Sequence, residues 1–202
     1  MARFAPLILL LSVLTGISFA EQSRNVSVQE KLRLLTQNGP WKCITVLGGD
    51  ELQIQYSSVY SFVATSAETA AYHDVSHMDF NEAVRYDSAE SGFVELSEEG
   101  YLILTPTHAQ LRSADIIPSA YSWLSDSVIQ DLRSQLPGSR QNYRQSLMKH
   151  VGVPLEIKIT ELTEETFRFL RGVENGPPET FSCSHVDADE LWDEFGWVGQ
   201  ID

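Results

Sequence analysis

The sequence predicts a mainly β domain: a closed or nearly closed antiparallel barrel of about eight strands, carrying an N-terminal helix and a two-helix insertion. Three observations lead there. Short apolar segments with period-two alternation recur between polar or Gly-containing breaks from Trp41 to Arg112, and they resume at Leu155. The rhythm is interrupted once, over residues 119–151, where apolar residues fall at helical spacing. The chain's two cysteines, Cys43 and Cys183, stand in the first and the last strand-like segments, so a single disulfide would fasten the ends of the sheet. Open strand edges invite aggregation, and closure removes them. A two-sheet sandwich satisfies the same alternation and is the alternative architecture.

Taken in order, residues 1–20 run from Met1 and Arg3 through an apolar stretch, Leu7 to Leu14, to Ser18-Phe19-Ala20. A basic start, a short apolar core and small residues at 18 and 20 describe a secretory signal cleaved after Ala20. The apolar run is shorter than the roughly 20 residues a spanning helix needs, and no later segment is long enough either. Residues 21–40 form an N-terminal segment and helix. Val28, Leu32 and Leu35 share one helical stripe, Ser27 and Glu30 match a capping box, and Gly39-Pro40 ends the helix. Asn25-Val26-Ser27 is also a glycosylation sequon, which matters in a eukaryotic host.

The barrel is expected over residues 41–186. Its strand-like segments are Trp41–Val46, Val59–Thr65, Ala71–Val75, Ala83–Tyr86, Gly92–Leu96 and Tyr101–Thr105. The insertion at 119–151 reads as two helices, one placing Trp123, Leu124, Val128, Leu132 and Leu136 on a stripe and one from Arg140 to Val151, parted by Pro137-Gly138. Leu155, Ile157 and Ile159 then alternate with polar residues, Thr163-Glu164-Glu165 turns the chain into Phe167–Leu170, and Thr180–Ser184 is the closing strand. Residues 187–202 form an acidic, aromatic C-terminal tail with Leu191, Trp192, Phe195 and Trp197.

The chain has a formal net charge of −14, and loss of the signal with Arg3 makes it more negative. Nucleic acid and anionic lipid both need a positive surface, so neither is an expected partner. An exported location, secreted or periplasmic, suits a Cys43–Cys183 disulfide, because oxidising compartments keep such bonds; two separate buried thiols are the alternative. No composition shift or Gly/Ser/Pro linker divides the mature chain, which is long enough for one good core.

A leading helix, Gly39-Pro40-Trp41 opening the first strand, and a meander of short strands together resemble the lipocalin-like β-barrels, whose first fingerprint is Gly-x-Trp. The resemblance spans roughly Gln29 to Ser184 and implies a barrel with an interior for a small apolar ligand, with Arg171 as the cation packed over the tryptophan. There is no Thr-Asp-Tyr-like second fingerprint, and the helical insertion is foreign to the usual barrel. The chain is therefore closest in pattern to a lipocalin-like domain of the bacterial exported kind.

Catalytic signals are sparse. No Gly-x-Ser-x-Gly elbow occurs, and the acidic pairs Glu98-Glu99 and Glu164-Glu165 fall in turns, where solvation leaves their acidities alike. His73 and His77, flanked by Asp74 and Asp79, are the nearest approach to a metal pair, but spacing specifies no third ligand; neither a metal nor a cofactor is expected. The expected function is binding, not catalysis: a small apolar or amphipathic molecule held by Tyr60, Phe62, Leu102, Leu104, Ile157, Phe167 and Phe169 from the strands and by Trp123 and Leu132 from the insertion. Leu155 and Ile159 share the inward alternation. The insertion's stripe covers either the barrel mouth or the barrel's outer wall. Two rivals remain: a side-chain-filled barrel that contacts a protein partner through Trp192 and Trp197, and an exported hydrolase with an unrecognised site.

Overall fold

The computed structural model describes residues 27–48, 53–97, 99–172 and 178–187. The segment expected to be a secretory signal, Asn25 of the sequon, and the tail residues Leu191, Trp192, Phe195 and Trp197 lie outside the described residues.

Helix α1 (Val28–Gln37) starts at the capping box read from the sequence, with the Ser27 hydroxyl accepting from the Glu30 N–H at 3.2 Å. Its apolar stripe buries Leu32 and Leu35 among the barrel's inward aromatics, and the Leu35 carbonyl accepts from the Trp41 indole N–H at 3.0 Å. α1 thus plugs one end of the barrel, next to the opening strand.

The strands are β1 (Trp41–Gly48), β2 (Gln53–Ala64), β3 (Thr69–Phe80), β4 (Val84–Leu96), β5 (Tyr101–Ile116), β6 (Leu155–Leu162), β7 (Thr166–Arg171) and β8 (Glu179–His185). They close in sequence order into one antiparallel barrel, β8 pairing back onto β1, which excludes the sandwich. The closing seam consists of Trp41 to Ile44 against His185 to Ser182. Cys43 and Cys183 are directly opposed there with Cα atoms 3.9 Å apart, and they are disulfide-bonded. A second narrow seam joins β5 to β6 through Tyr101–Leu104 and Leu155–Lys158, whereas the β2–β3, β3–β4 and β4–β5 pairings run most of a strand's length.

Two elements differ from the sequence reading. The segments expected at Ala83–Tyr86 and Gly92–Leu96 are parts of one strand, β4, and β5 continues to Ile116 with register shifts opposite Asp87/Ser88 and Ser91/Gly92. The intervening residues, Asp87, Ser88, Glu90 and Ser91, are polar on both faces, so apolar alternation does not mark them as strand. The second difference is in the insertion. A short 3-10 helix (Pro118–Ser122) precedes a single helix, α2 (Asp126–His150), which passes through Pro137 without a break. Proline fixes a φ that a helix accepts and removes one donor. The helix keeps its packing on both sides of that gap, and the Ser139 hydroxyl donates to the Leu136 carbonyl at 2.9 Å.

The α2 stripe packs against the long β4–β5 ribbon where β6 no longer pairs with it. Ile129 is buried with Val84, Tyr86, Ala114 and Ile116, and Leu124, Leu132, Leu136 and Tyr143 pack around them. By the pleat, Val84 and Tyr86 share a face with the inward Val94 and Leu96, so α2 lies over the inner face of the ribbon and across one barrel mouth. At Gly92 the β5 backbone comes so close that a Cβ would sit 2.1 Å from the Thr105 carbonyl oxygen, and only glycine fits. Among the described residues, no helix is long and apolar enough to cross a membrane.

Candidate functional site

The barrel interior has two unlike halves. Near α1 it is filled: Trp41, Phe62, Leu102, Ile157, Phe167, Phe169 and Phe181 are buried in one cluster, with Phe169 stacked on Phe181 at 4.7 Å and Trp41 edge-on to Phe167 at 5.9 Å. Toward α2 the inward positions of β3 and β4 turn polar, at Asp74, Ser76, Ser88 and Glu90, and a cavity of about 480 Å³ lies between the strands and the C-terminal half of that helix.

The cavity wall is set by strand parity. Tyr72, Asp74, Ser76 and Met78 alternate on the inward face of β3; Tyr60 of β2 is paired with Asp74, and Glu90 of β4 is paired with it on the other side. Asp74 is only 5% exposed, and its Oδ1 has no hydrogen-bond partner. Burial, and next the charge of Glu90, push the Asp74 carboxyl well above the usual carboxylate range. Glu90 accepts from the Tyr72 hydroxyl at 2.6 Å, and burial raises its pKa despite that bond. Ser76 and Ser88 are 3.0 Å apart and hydrogen-bonded. Tyr56, Tyr60 and Tyr143 add three phenol rings, and burial holds each hydroxyl in its neutral form. Leu104, Leu147, Val153 and Leu155 complete the wall with apolar surface.

Arg171 departs from the role that the lipocalin resemblance implied. Its guanidinium lies over Phe181 at 4.8 Å and Tyr56 at 5.9 Å, and it donates to Glu179 at 2.6 and 3.1 Å. The register places it at the level of Glu179, four residues along β7 from the Phe167 that touches Trp41, so it faces the cavity rather than the tryptophan.

Of the residues singled out in the sequence, Tyr60 and Leu104 line this cavity. Phe62, Leu102, Ile157, Phe167 and Phe169 belong to the filled half, where Ile159 packs against the same cluster. Leu155 stands at the rim, 40% exposed. Trp123 is exposed and Leu132 packs on the ribbon cluster, so the part of α2 that covers the cavity lies further on, at Tyr143, Ser146, Leu147 and His150. Asp74, Glu90, Tyr56 and Tyr143 were missed as a site. The signal for Asp74 was available: it is two residues from the apolar, inward Tyr72, and period two carries it to the same face.

His73 and His77 share the outer face of β3 but are four residues apart on a strand, roughly 13 Å, too far to ligate one ion. His77 Nδ1 is bound to Asp87, whose other oxygen accepts from the Ser113 hydroxyl. The serine therefore contacts the carboxylate rather than the imidazole, and that order cannot activate it as a nucleophile. Among the described residues no group of three or more His, Cys, Asp or Glu is placed to hold a metal. A second concavity of about 570 Å³ runs along the outside of the barrel between α2 and β5, beside Arg112, Arg140 and Arg144. Arg140 is occupied there by the Ala114 carbonyl and Asp115. No protein-family model matches this chain, and no curated protein does.

Proposed function

We propose that this protein is an exported, lipocalin-like binding protein, secreted or periplasmic, that takes a small amphipathic molecule into the cavity between the barrel and α2 and performs no chemistry on it. The observation that carries this reading is the unequal filling of the interior. One half is filled by a cluster of buried aromatic and aliphatic side chains, while the other keeps about 480 Å³ open beneath a helix. That volume falls in the roughly 300 to 1,000 Å³ range of small-molecule sites, and its apolar wall with a few convergent polar groups has their usual make-up. The Cys43–Cys183 bond fits an oxidising, extracytoplasmic setting.

The test is titration of the purified, disulfide-bonded protein with the neutral fluorophore N-phenyl-1-naphthylamine. Saturable one-to-one binding that Leu147→Glu weakens by about tenfold or more, without loss of the folded circular-dichroism spectrum, supports the reading. Absence of saturable binding overturns it and leaves a protein-interaction module.

A further inference from the structure

We infer that the ligand is an organic ammonium: a protonated amine on a small apolar body, held by Asp74 and Glu90 at the inner wall of the cavity. The inference rests on the cavity being a ligand site and specifies the chemistry it takes. Three features lead to it independently.

The first is the unpartnered oxygen. Asp74 is 95% removed from solvent, faces the cavity, and leaves Oδ1 with no donor from the protein. An unsatisfied buried carboxylate oxygen is costly, and a ligand N–H is the group that completes it.

The second is the charge of the wall. Asp74, Glu90 and Glu179 stand against one guanidinium, Arg171, which is already bound to Glu179. That leaves Asp74 and Glu90 opposed across the β3–β4 pairing, with the His150 imidazole of α2 as the other basic side chain on the wall. An anionic ligand would add a further like charge, whereas an ammonium offsets one of the two negative charges and screens their repulsion. The chain's net charge of −14 supplies a long-range field of the same preference.

The third is the aromatic content. Tyr56, Tyr60 and Tyr143 line the same space, and phenol faces attract a desolvated cation. Met78, Leu104, Leu147 and Val153 provide a surface for an apolar body. Asp74 needs an N–H donor, so a primary or secondary ammonium fits better than a quaternary one.

The titratable and charged groups that share the cavity with Asp74 are Tyr56 and Tyr60 from β2, Glu90 from β4, Arg171 from β7, Glu179 from β8, and Tyr143 and His150 from α2. Burial raises both Asp74 and Glu90, so an ammonium must take their ionised forms, and affinity rises with pH between the ordinary carboxylate range and the alkaline titration of the amine.

The experiment is isothermal titration of the full, disulfide-bonded protein at about pH 8 with three probes of similar size: phenethylamine, 2-phenylethanol and 3-phenylpropanoate. The amine is expected to bind about tenfold or more tightly than the alcohol, with the carboxylate weakest, and to lose about tenfold at about pH 5.5. Asp74→Asn and Glu90→Gln should each weaken the amine by about tenfold while leaving 2-phenylethanol, which carries no N–H, less affected and the folded circular-dichroism spectrum intact; if one variant does not fold, the other decides. The ammonium assignment is overturned, with the cavity reading intact, if the neutral fluorophore binds but the alcohol or carboxylate matches the amine, or if both variants leave amine affinity unchanged. Both readings fall if neither the fluorophore nor any of the three probes binds.

Discussion

Asp74 of β3 and Glu90 of β4 are direct cross-strand partners on the inward face of the barrel. Two carboxylates so placed repel each other in a medium that solvates neither well, and a sheet does not gain stability from such a pair. The arrangement must therefore be visible in the protein's stability before any ligand is added.

Stability should fall as pH rises above the ordinary carboxylate range. Asp74 and Glu90 have raised folded-state pKa values, so the folded protein holds more protons than the unfolded chain in that window. The slope of unfolding free energy against pH is then negative, and the stabilisation present below the unfolded pKa is lost as pH climbs through the folded one. Asp87 acts in a separate window: burial disfavours its charge, but the bonds from His77 and Ser113 outweigh this and lower its pKa. Its contribution is lost only as pH falls below the usual aspartate range. His73, lowered by burial and then by Arg112, adds a slope of the opposite sign below the ordinary histidine range. Urea denaturation at about pH 6.5, 7.2 and 8, where that contribution fades, should therefore show the decline, and Asp74→Asn should flatten it and stabilise the protein at about pH 8 by roughly 1 kcal/mol or more. A wild-type profile that is flat or rising across this window would refute the assignment.

Replacing both Cys43 and Cys183 by Ala should cost about 2 to 4 kcal/mol. The bond ties the narrow β1–β8 seam and links residues separated by 140 positions. Mass mapping of a non-reduced digest checks the pairing, and denaturation of the double variant checks its weight.

Gly92→Ala should destabilise by about 1 to 3 kcal/mol, the usual cost of forcing added volume into a packed site. The obstacle is backbone, with the Thr105 carbonyl oxygen at 2.1 Å and the Pro106 Cα at 2.8 Å, so no side-chain rotation relieves it. A thermal midpoint equal to wild type would show that the β4–β5 ribbon yields enough to admit the added methyl group.

Phe169→Ala and Leu104→Ala separate the two halves of the interior. Phe169 is 2% exposed and stacked on Phe181, so its truncation should cost about 3 to 5 kcal/mol and leave affinity for N-phenyl-1-naphthylamine near wild type. Leu104 borders the cavity as well as the core, so its truncation should alter probe affinity as well as stability. Equal effects on binding from both would mean that the filled half is also accessible.

The barrel, its opening helix and its disulfide were legible because each follows from a local rule: the capping box at Ser27 and Glu30, the alternation from Leu155 to Ile159, and the placing of Cys43 and Cys183 in terminal strands. The site was harder to read because the same rule takes apolar residues as the mark of an inward face. Inside this barrel the inward positions of β3 and β4 change from Tyr72 and Val94 to Asp74, Ser76, Ser88 and Glu90 as the core gives way to the cavity. A polar run that faces a cavity looks in sequence like a polar run that faces water, and Asp87 to Ser91 was accordingly read as a break between strands. Pro137 misled for a related reason: its local preference argues for a helix end, but packing on the β4–β5 ribbon holds the helix together on either side.

The two narrow seams give the cylinder one locked clasp and one unlocked clasp. The β1–β8 junction is covalently fastened, whereas β5 and β6 are joined without a covalent link, by four residue pairs and flanking backbone hydrogen bonds such as Ile159 N–H to the Gly100 carbonyl. Parting that second junction would leave a single sheet running from β6 through β8 to β1 and on to β5, a permutation of the chain order with the disulfide in its interior, between the third and fourth strands. The segment joining the two free margins of that sheet is the one that contains α2. The helix over the cavity is thus also the strap across the molecule's parting line.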